Sequence, residues 1–162
     1  MLQSETYELL DCLKYDKGTT SDHNDIWNTN DTTLSRQSEY SNVSESTAGT
    51  DGNISTKIDH SVCLEFDVQL ISDAYNLSFG QIGQSQNATT RREIYLLVQD
   101  SGWHPMRIEI QNGVATVSST ETSTTQTLTL TNYDSSMDMY WRFRTNSNIT
   151  EINFKNFKCY PI

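Results

Sequence analysis

The chain is poor in several things at once, and each shortage removes a class of protein. It has 3 cysteines in 162 residues, Cys12, Cys63 and Cys159. The number is odd and the spacing wide, so no Cys-x-x-Cys metal site can form. One disulfide, Cys12 with Cys159, is compatible with the sandwich fold inferred below, whose termini often lie side by side; reduced structural thiols are the preferred reading. Positive charge is scarce: 11 Lys and Arg stand against 21 Asp and Glu, a formal net charge of −10. Nucleic-acid affinity rests on Lys and Arg neutralising phosphates, so a phosphate-tracking surface is not expected. Attraction to an anionic membrane is disfavoured for the same reason. No apolar run reaches the ~18 residues that a membrane-crossing helix needs, so no membrane insertion is expected. The opening, Met1-Leu2-Gln3-Ser4-Glu5, lacks the basic and then apolar order of a signal peptide. Either the chain is not secreted by that route, or it is a module excised from a larger multidomain protein with an added Met.

Hydrophobic residues make up 35% and aromatics 10%, low for a globular protein. They are clustered, however, and 162 residues suffice for one core without a metal or disulfide. The remainder is dominated by Ser, Thr, Asn, Asp and Gln, whose short polar side chains compete for backbone hydrogen bonds and favour strands and turns over helices.

No segment holds a 3.6-residue apolar repeat. Alternation is frequent instead. Val62, Leu64, Phe66, Val68 and Leu70 alternate with Ser61, Cys63, Glu65, Asp67 and Gln69, the period of a strand with one buried face. The same holds for Leu77 and Phe79, for Ile94, Leu96 and Val98, and for Met106, Ile108 and Ile110. Asn112-Gly113 separates the last of these from Val114–Val117, a hairpin signal because both turn residues need positive φ. Thr127–Leu130, Met139–Arg144 and Ile149–Tyr160 complete the set. Residues 1–60 are less regular: strands are expected at Glu8–Lys14, Thr33–Arg36 and Tyr40–Ser44, and a turn at Gly49–Asn53. Short strands at this spacing predict one all-β domain over 1–162, a two-sheet antiparallel jelly-roll sandwich.

Two stretches carry a resemblance. Ser101-Gly102-Trp103-His104-Pro105-Met106-Arg107-Ile108-Glu109-Ile110-Gln111-Asn112-Gly113 resembles the Trp-His strand and hairpin of laminin G-like and other concanavalin-like jelly rolls. The final Ile152-Asn153-Phe154-Lys155-Asn156-Phe157-Lys158-Cys159-Tyr160-Pro161-Ile162 is similar to their closing strand. The resemblance covers about Ser61 to Ile162. It implies a scaffold that binds carbohydrate or a receptor, of the kind found in bacterial surface proteins, glycosidases and the tail or minor structural proteins of bacteriophages.

The site expected on such a scaffold is one polar sheet face formed by Glu65, Asp67, Tyr95, Arg107, Tyr140, Arg142 and Arg144, with Trp27 and Tyr75 in nearby loops. Aromatic faces stack on sugar C–H patches, and Arg and carboxylate groups bond vicinal hydroxyls in pairs. The ligand expected is a glycan or cell-wall polysaccharide. Glu65-Phe66-Asp67-Val68-Gln69 resembles the Glu-x-Asp-x-(x)-Glu strand of laminarinase-like glycosidases, in which two carboxylates act as nucleophile and acid/base. Gln69 stands where the second partner is needed, so no catalysis is expected. Asp16, Asp22, Asp25 and Asp31 lie in a polar stretch whose oxygens suit calcium; no other cofactor is expected. The expectation is a non-catalytic recognition module on a cell exterior or on the tail or surface of a bacteriophage or archaeal virus. The alternatives are a ligand-free virion or fibre assembly domain, with a homo-oligomer burying the polar face, and a small glycoside hydrolase.

Overall fold

The computed structural model describes residues 27–37, 39–47, 51–84 and 90–162. Among them are twelve strands and no α-helix. The strands are β1 (Asn28–Asn30), β2 (Thr32–Arg36), β3 (Ser41–Glu45), β4 (Gly52–Ile58), β5 (Ser61–Ser72), β6 (Gly80–Gly83), β7 (Arg91–Ile94), β8 (His104–Gln111), β9 (Val114–Ser119), β10 (Thr122–Thr129), β11 (Met139–Thr145) and β12 (Ile149–Pro161). They form a five-stranded sheet, β1-β4-β11-β6-β7, and a seven-stranded sheet, β10-β9-β8-β5-β12-β3-β2. All pairings are antiparallel. This is the two-sheet sandwich that the alternation predicts. The strand expected at Glu8–Lys14 and the Cys12 thiol lie outside the described residues.

Alternation builds the core as read from the sequence. Val62, Leu64, Phe66, Val68 and Leu70 of β5 and Met106, Ile108 and Ile110 of β8 point inward and are buried. From the facing sheet come Ile54, Ile58, Ile82, Met139, Trp141 and Phe143. The centre is aromatic: the Phe143 ring lies 4.6 Å from Phe154, 5.2 Å from Phe66 and 5.2 Å from Trp141. Each buried ring contributes roughly 1.5–3 kcal/mol through apolar area alone. Gly80 makes room for this packing, since a Cβ there would come within 2.3 Å of the Trp141 ring. Asn112 (φ 49°) and Gly113 (φ 80°) form the β8–β9 turn, as their sequence predicts.

Three expectations need correction. The turn placed at Gly49–Asn53 runs into β4, whose inward positions Gly52, Ile54, Thr56 and Ile58 hold too few apolar residues to signal a strand. The strand expected through Ile94–Val98 ends at Ile94; Leu96 is buried from irregular backbone. Leu77 precedes β6 rather than lying in a strand, and packs from the connection.

Candidate binding face

Strand alternation brings the predicted site residues to two surfaces instead of one. Glu65, Asp67 and Arg107 share the outer face of the seven-stranded sheet, with Arg107 directly across from Glu65. Tyr140, Arg142 and Arg144 belong to β11 and face outward from the five-stranded sheet, on the far side of the sandwich. The single polar face expected from the sequence is thereby corrected to two. Trp27 is corrected as well. It is 2% exposed, with its ring 5.2 Å from Phe157, 5.6 Å from Phe154 and 5.8 Å from Phe143. It anchors the start of β1 in the core and offers no face to a ligand. Tyr75 packs partly buried against the core from the β5–β6 connection. Tyr95 follows β7, at the margin of the five-stranded sheet, and is half-buried.

On the seven-stranded sheet, Arg107 organises a polar network. Its Nη1 donates to Glu65 Oε2 at 2.7 Å and to the Tyr160 hydroxyl at 2.9 Å, and its Nη2 donates to Glu109 Oε1 at 2.6 Å. The Tyr160 hydroxyl donates in turn to Glu65. The Tyr160 bond, with that to Glu109, pushes the Arg107 pKa above its ordinary value. Burial, with the bonds to Cys63 and Glu65, pushes the Tyr160 phenol upward. Cys63, cross-strand from Tyr160, is fully buried, and burial raises its thiol pKa.

Beside this network lies an open groove of about 480 Å³, lined by Glu65, Asp67, Pro105, Arg107, Ser118, Ser119, Thr120, Asn156 and Lys158. A β-bulge shapes it. Lys155 pairs with Asp67 and Lys158 with Glu65, so Asn156 and Phe157 together oppose Phe66. Phe157 turns inward to stack on Phe66 at 5.9 Å, while Asn156, at φ 56°, turns out and donates to Asp67 Oδ2 at 2.8 Å. Bulges of this kind re-aim a side chain at the cost of one ladder position. The sequence reading missed Asn156, Lys158 and Ser118–Thr120. A signal existed for the first: Phe154 and Phe157, three apart, are both inward, which a regular strand cannot do.

The same face continues past Asp67. Asn42 Nδ2 donates to Asn153 Oδ1 at 2.7 Å and Glu151 Oε1 at 3.0 Å, and Asn153 Nδ2 donates to Gln69 Oε1 at 3.0 Å. Next to this amide ladder, Lys155 places its ammonium 4.3 Å from the centre of the Trp103 ring, and Tyr40 meets Trp103 edge-on at 5.8 Å. From Ser118 on β9 to Asn42 on β3 the surface crosses four interstrand gaps, roughly 19 Å at ~4.8 Å each.

The carboxylates of Glu65 and Asp67 are both engaged as acceptors, by Arg107 and Tyr160 and by Asn156. Gln69, at the position a second catalytic carboxylate would take, donates to the Ser101 carbonyl at 3.2 Å. His104 of the Trp-His motif is 3% exposed and faces Glu121 Oε2 and Asp100 Oδ1, each at 2.7 Å, tying the start of β8 to the β9–β10 turn. Its role is structural.

On the five-stranded sheet, Glu93 is the hub. It accepts from Ser78 Oγ at 2.9 Å, from Gln81 Nε2 at 2.9 Å and from Arg144 Nη1 at 3.2 Å. Arg142 is 5% exposed, and burial lowers its pKa. Asp31 occupies the β1–β2 turn at φ 53° and is exposed; Asp16, Asp22 and Asp25 lie outside the described residues. Among the described residues no three His, Cys, Asp or Glu side chains converge as a metal site, and no helix could cross a membrane.

No family model matches the chain, and no curated protein matches it in sequence. Solved structures do match its fold. A sialidase superposes with a TM-score of 0.62 at 12% identity over 91% of this chain, which spans only 18% of that enzyme's length. A Bacillus subtilis protein of unknown function with a galectin-like fold gives 0.60 at 8% identity, over 88% of this chain and 92% of that one. The exoplasmic/lumenal domain of VIP36, solved with Ca2+ and Man3GlcNAc, gives 0.54 at 6% identity, over 85% and 84%. The fold is therefore that of the galectin- and concanavalin-like jelly-roll sandwiches.

Proposed function

We propose that the chain is a non-catalytic carbohydrate-recognition module whose site is the groove on the outer face of the seven-stranded sheet. The observation that carries this reading is the Asn156 bulge. It spends a regular ladder position to set an amide against Asp67 at the groove wall. Carboxylate and amide side by side, with Lys158 and the hydroxyls of Ser118, Ser119 and Thr120, offer acceptors and donors to sugar hydroxyls. The ligand is a polysaccharide of a cell wall or cell surface, because the polar surface extends well beyond one sugar toward Trp103. The module works at a cell exterior or virion surface, as part of a larger protein or in several copies that add avidity. The binding of Man3GlcNAc by VIP36 on a similar sandwich supports the reading.

A glycan array and titration with wall polysaccharides test it. Saturable binding abolished in Asp67→Ala is expected. Absence of binding to every saccharide, or release of reducing ends lost in Glu65→Gln, overturns it.

A further inference from the structure

Among the described residues, the outer face of the five-stranded sheet presents Lys57, Arg91, Arg142 and Arg144. All but one have a carboxylate. Lys57 lies 3.1 Å from Asp138, Arg144 lies 3.2 Å from Glu93 and 3.5 Å from Asp51, and Arg91 Nε lies 3.7 Å from Glu93. Arg142 has none, yet it is the most buried of them at 5% exposure, and its Nη1 is sealed from solvent without a hydrogen-bond partner. Its guanidinium rests 5.4 Å from the Tyr140 ring centre. A ring face compensates only part of a desolvated charge. Arg91 of β7 shares this outer face and stands opposite Gly83, which in turn pairs with Tyr140. Gly83 lets Arg91 pack closely against β6, since a Cβ there would sit 3.2 Å from Arg91 Cα and Cβ.

An arginine does not relieve such a position by losing its proton. Nor can Glu93 supply the missing charge, since Ser78, Gln81 and Arg144 already occupy it. A buried guanidinium with an unpartnered nitrogen calls for a partner, either a water or an anion.

We infer that Arg142, with Arg91 and Tyr140, forms an oxyanion-binding site on the outer face of the five-stranded sheet, suited to the carboxylate or sulfate of an acidic saccharide. The planar guanidinium fork matches two oxygens of such a group. The site lies across the sandwich from the Asp67 groove and does not depend on it.

The test follows the side-chain NMR signal of Arg142 in the wild type, and calorimetric affinity in the wild type, Arg142→Met, Arg91→Gln and Asp67→Ala, during titration with sulfate, glucuronate and glucose. Sulfate or glucuronate is expected to shift the signal, and glucose is not. Affinity should fall about tenfold or more in Arg142→Met, fall in Arg91→Gln, and stay unchanged in Asp67→Ala. Arg142→Met should also raise the melting temperature in anion-free buffer, because it removes a buried unpaired charge and keeps the packing. A response to sulfate as strong as to glucuronate identifies a site for free oxyanions. A response to glucuronate alone identifies an acidic-sugar site. Silence toward all anions, or binding that survives in Arg142→Met, overturns the inference and leaves Arg142 as a structural residue served by an internal water.

Discussion

Asn156 donates its side-chain amide to Asp67 across a β-bulge, from a residue held at positive φ. Asn tolerates this backbone conformation better than other side chains except Gly. Asn156→Gly therefore keeps the conformation and deletes only the amide. Its stability should stay within about 0.5 kcal/mol of the wild type, as for an exposed site. Polysaccharide affinity should drop about tenfold, the worth of one or two hydrogen bonds. Calorimetric titration beside chemical denaturation separates the two effects. Unchanged affinity would remove Asn156 from the site.

Trp27 belongs to the aromatic centre. Trp27→Ala should cost about 3–5 kcal/mol, the usual toll for emptying a large aromatic site. Urea denaturation checks this. A stable variant with reduced saccharide binding would return Trp27 to the ligand.

Gly80→Ala forces a methyl into the Trp141 ring. Overpacking of this kind costs about 1–3 kcal/mol. The loss should shrink when Trp141 is shortened to Phe in the same chain, because the two changes share one contact. A double-mutant cycle in denaturant measures the coupling.

His104 carries a pH signature. Burial pulls its pKa down, but Glu121 and Asp100, bonded to its two ring nitrogens, outweigh burial and the net shift is upward. A group whose folded pKa is raised adds stability in full below its unfolded pKa, about 6.5 for His. That stability fades as pH climbs through the higher folded value. Comparing wild type with His104→Gln across this range, the stability gap should be widest at the acidic end and narrow as pH rises. A gap that widens with pH would show that His104 is held neutral.

The division into buried and exposed positions could be read from the sequence for residues 61–162, because a two-residue period is a direct image of the strand. Which exterior a polar residue occupies could not. Alternation separates inside from outside, and a sandwich has two outsides. Glu65, Asp67 and Arg107 and the trio Tyr140, Arg142 and Arg144 carry identical local patterns, and only strand order assigns them to opposite sheets. β4 was hidden because Gly52 and Thr56 fill inward positions. The groove's main device was hidden because a bulge is a break in the period, and the reading followed the period.

The position of β12 governs how the chain is made. β12 lies between β5 and β3 in the seven-stranded sheet. Until it is in place, the β2–β3 hairpin and the β5-β8-β9-β10 half-sheet are separate pieces, each with an unsatisfied edge facing the gap. Every such edge is a template for a stray strand. Without β12 the seven-stranded sheet is two half-sheets, and the hazard ends only when β12 slots between them.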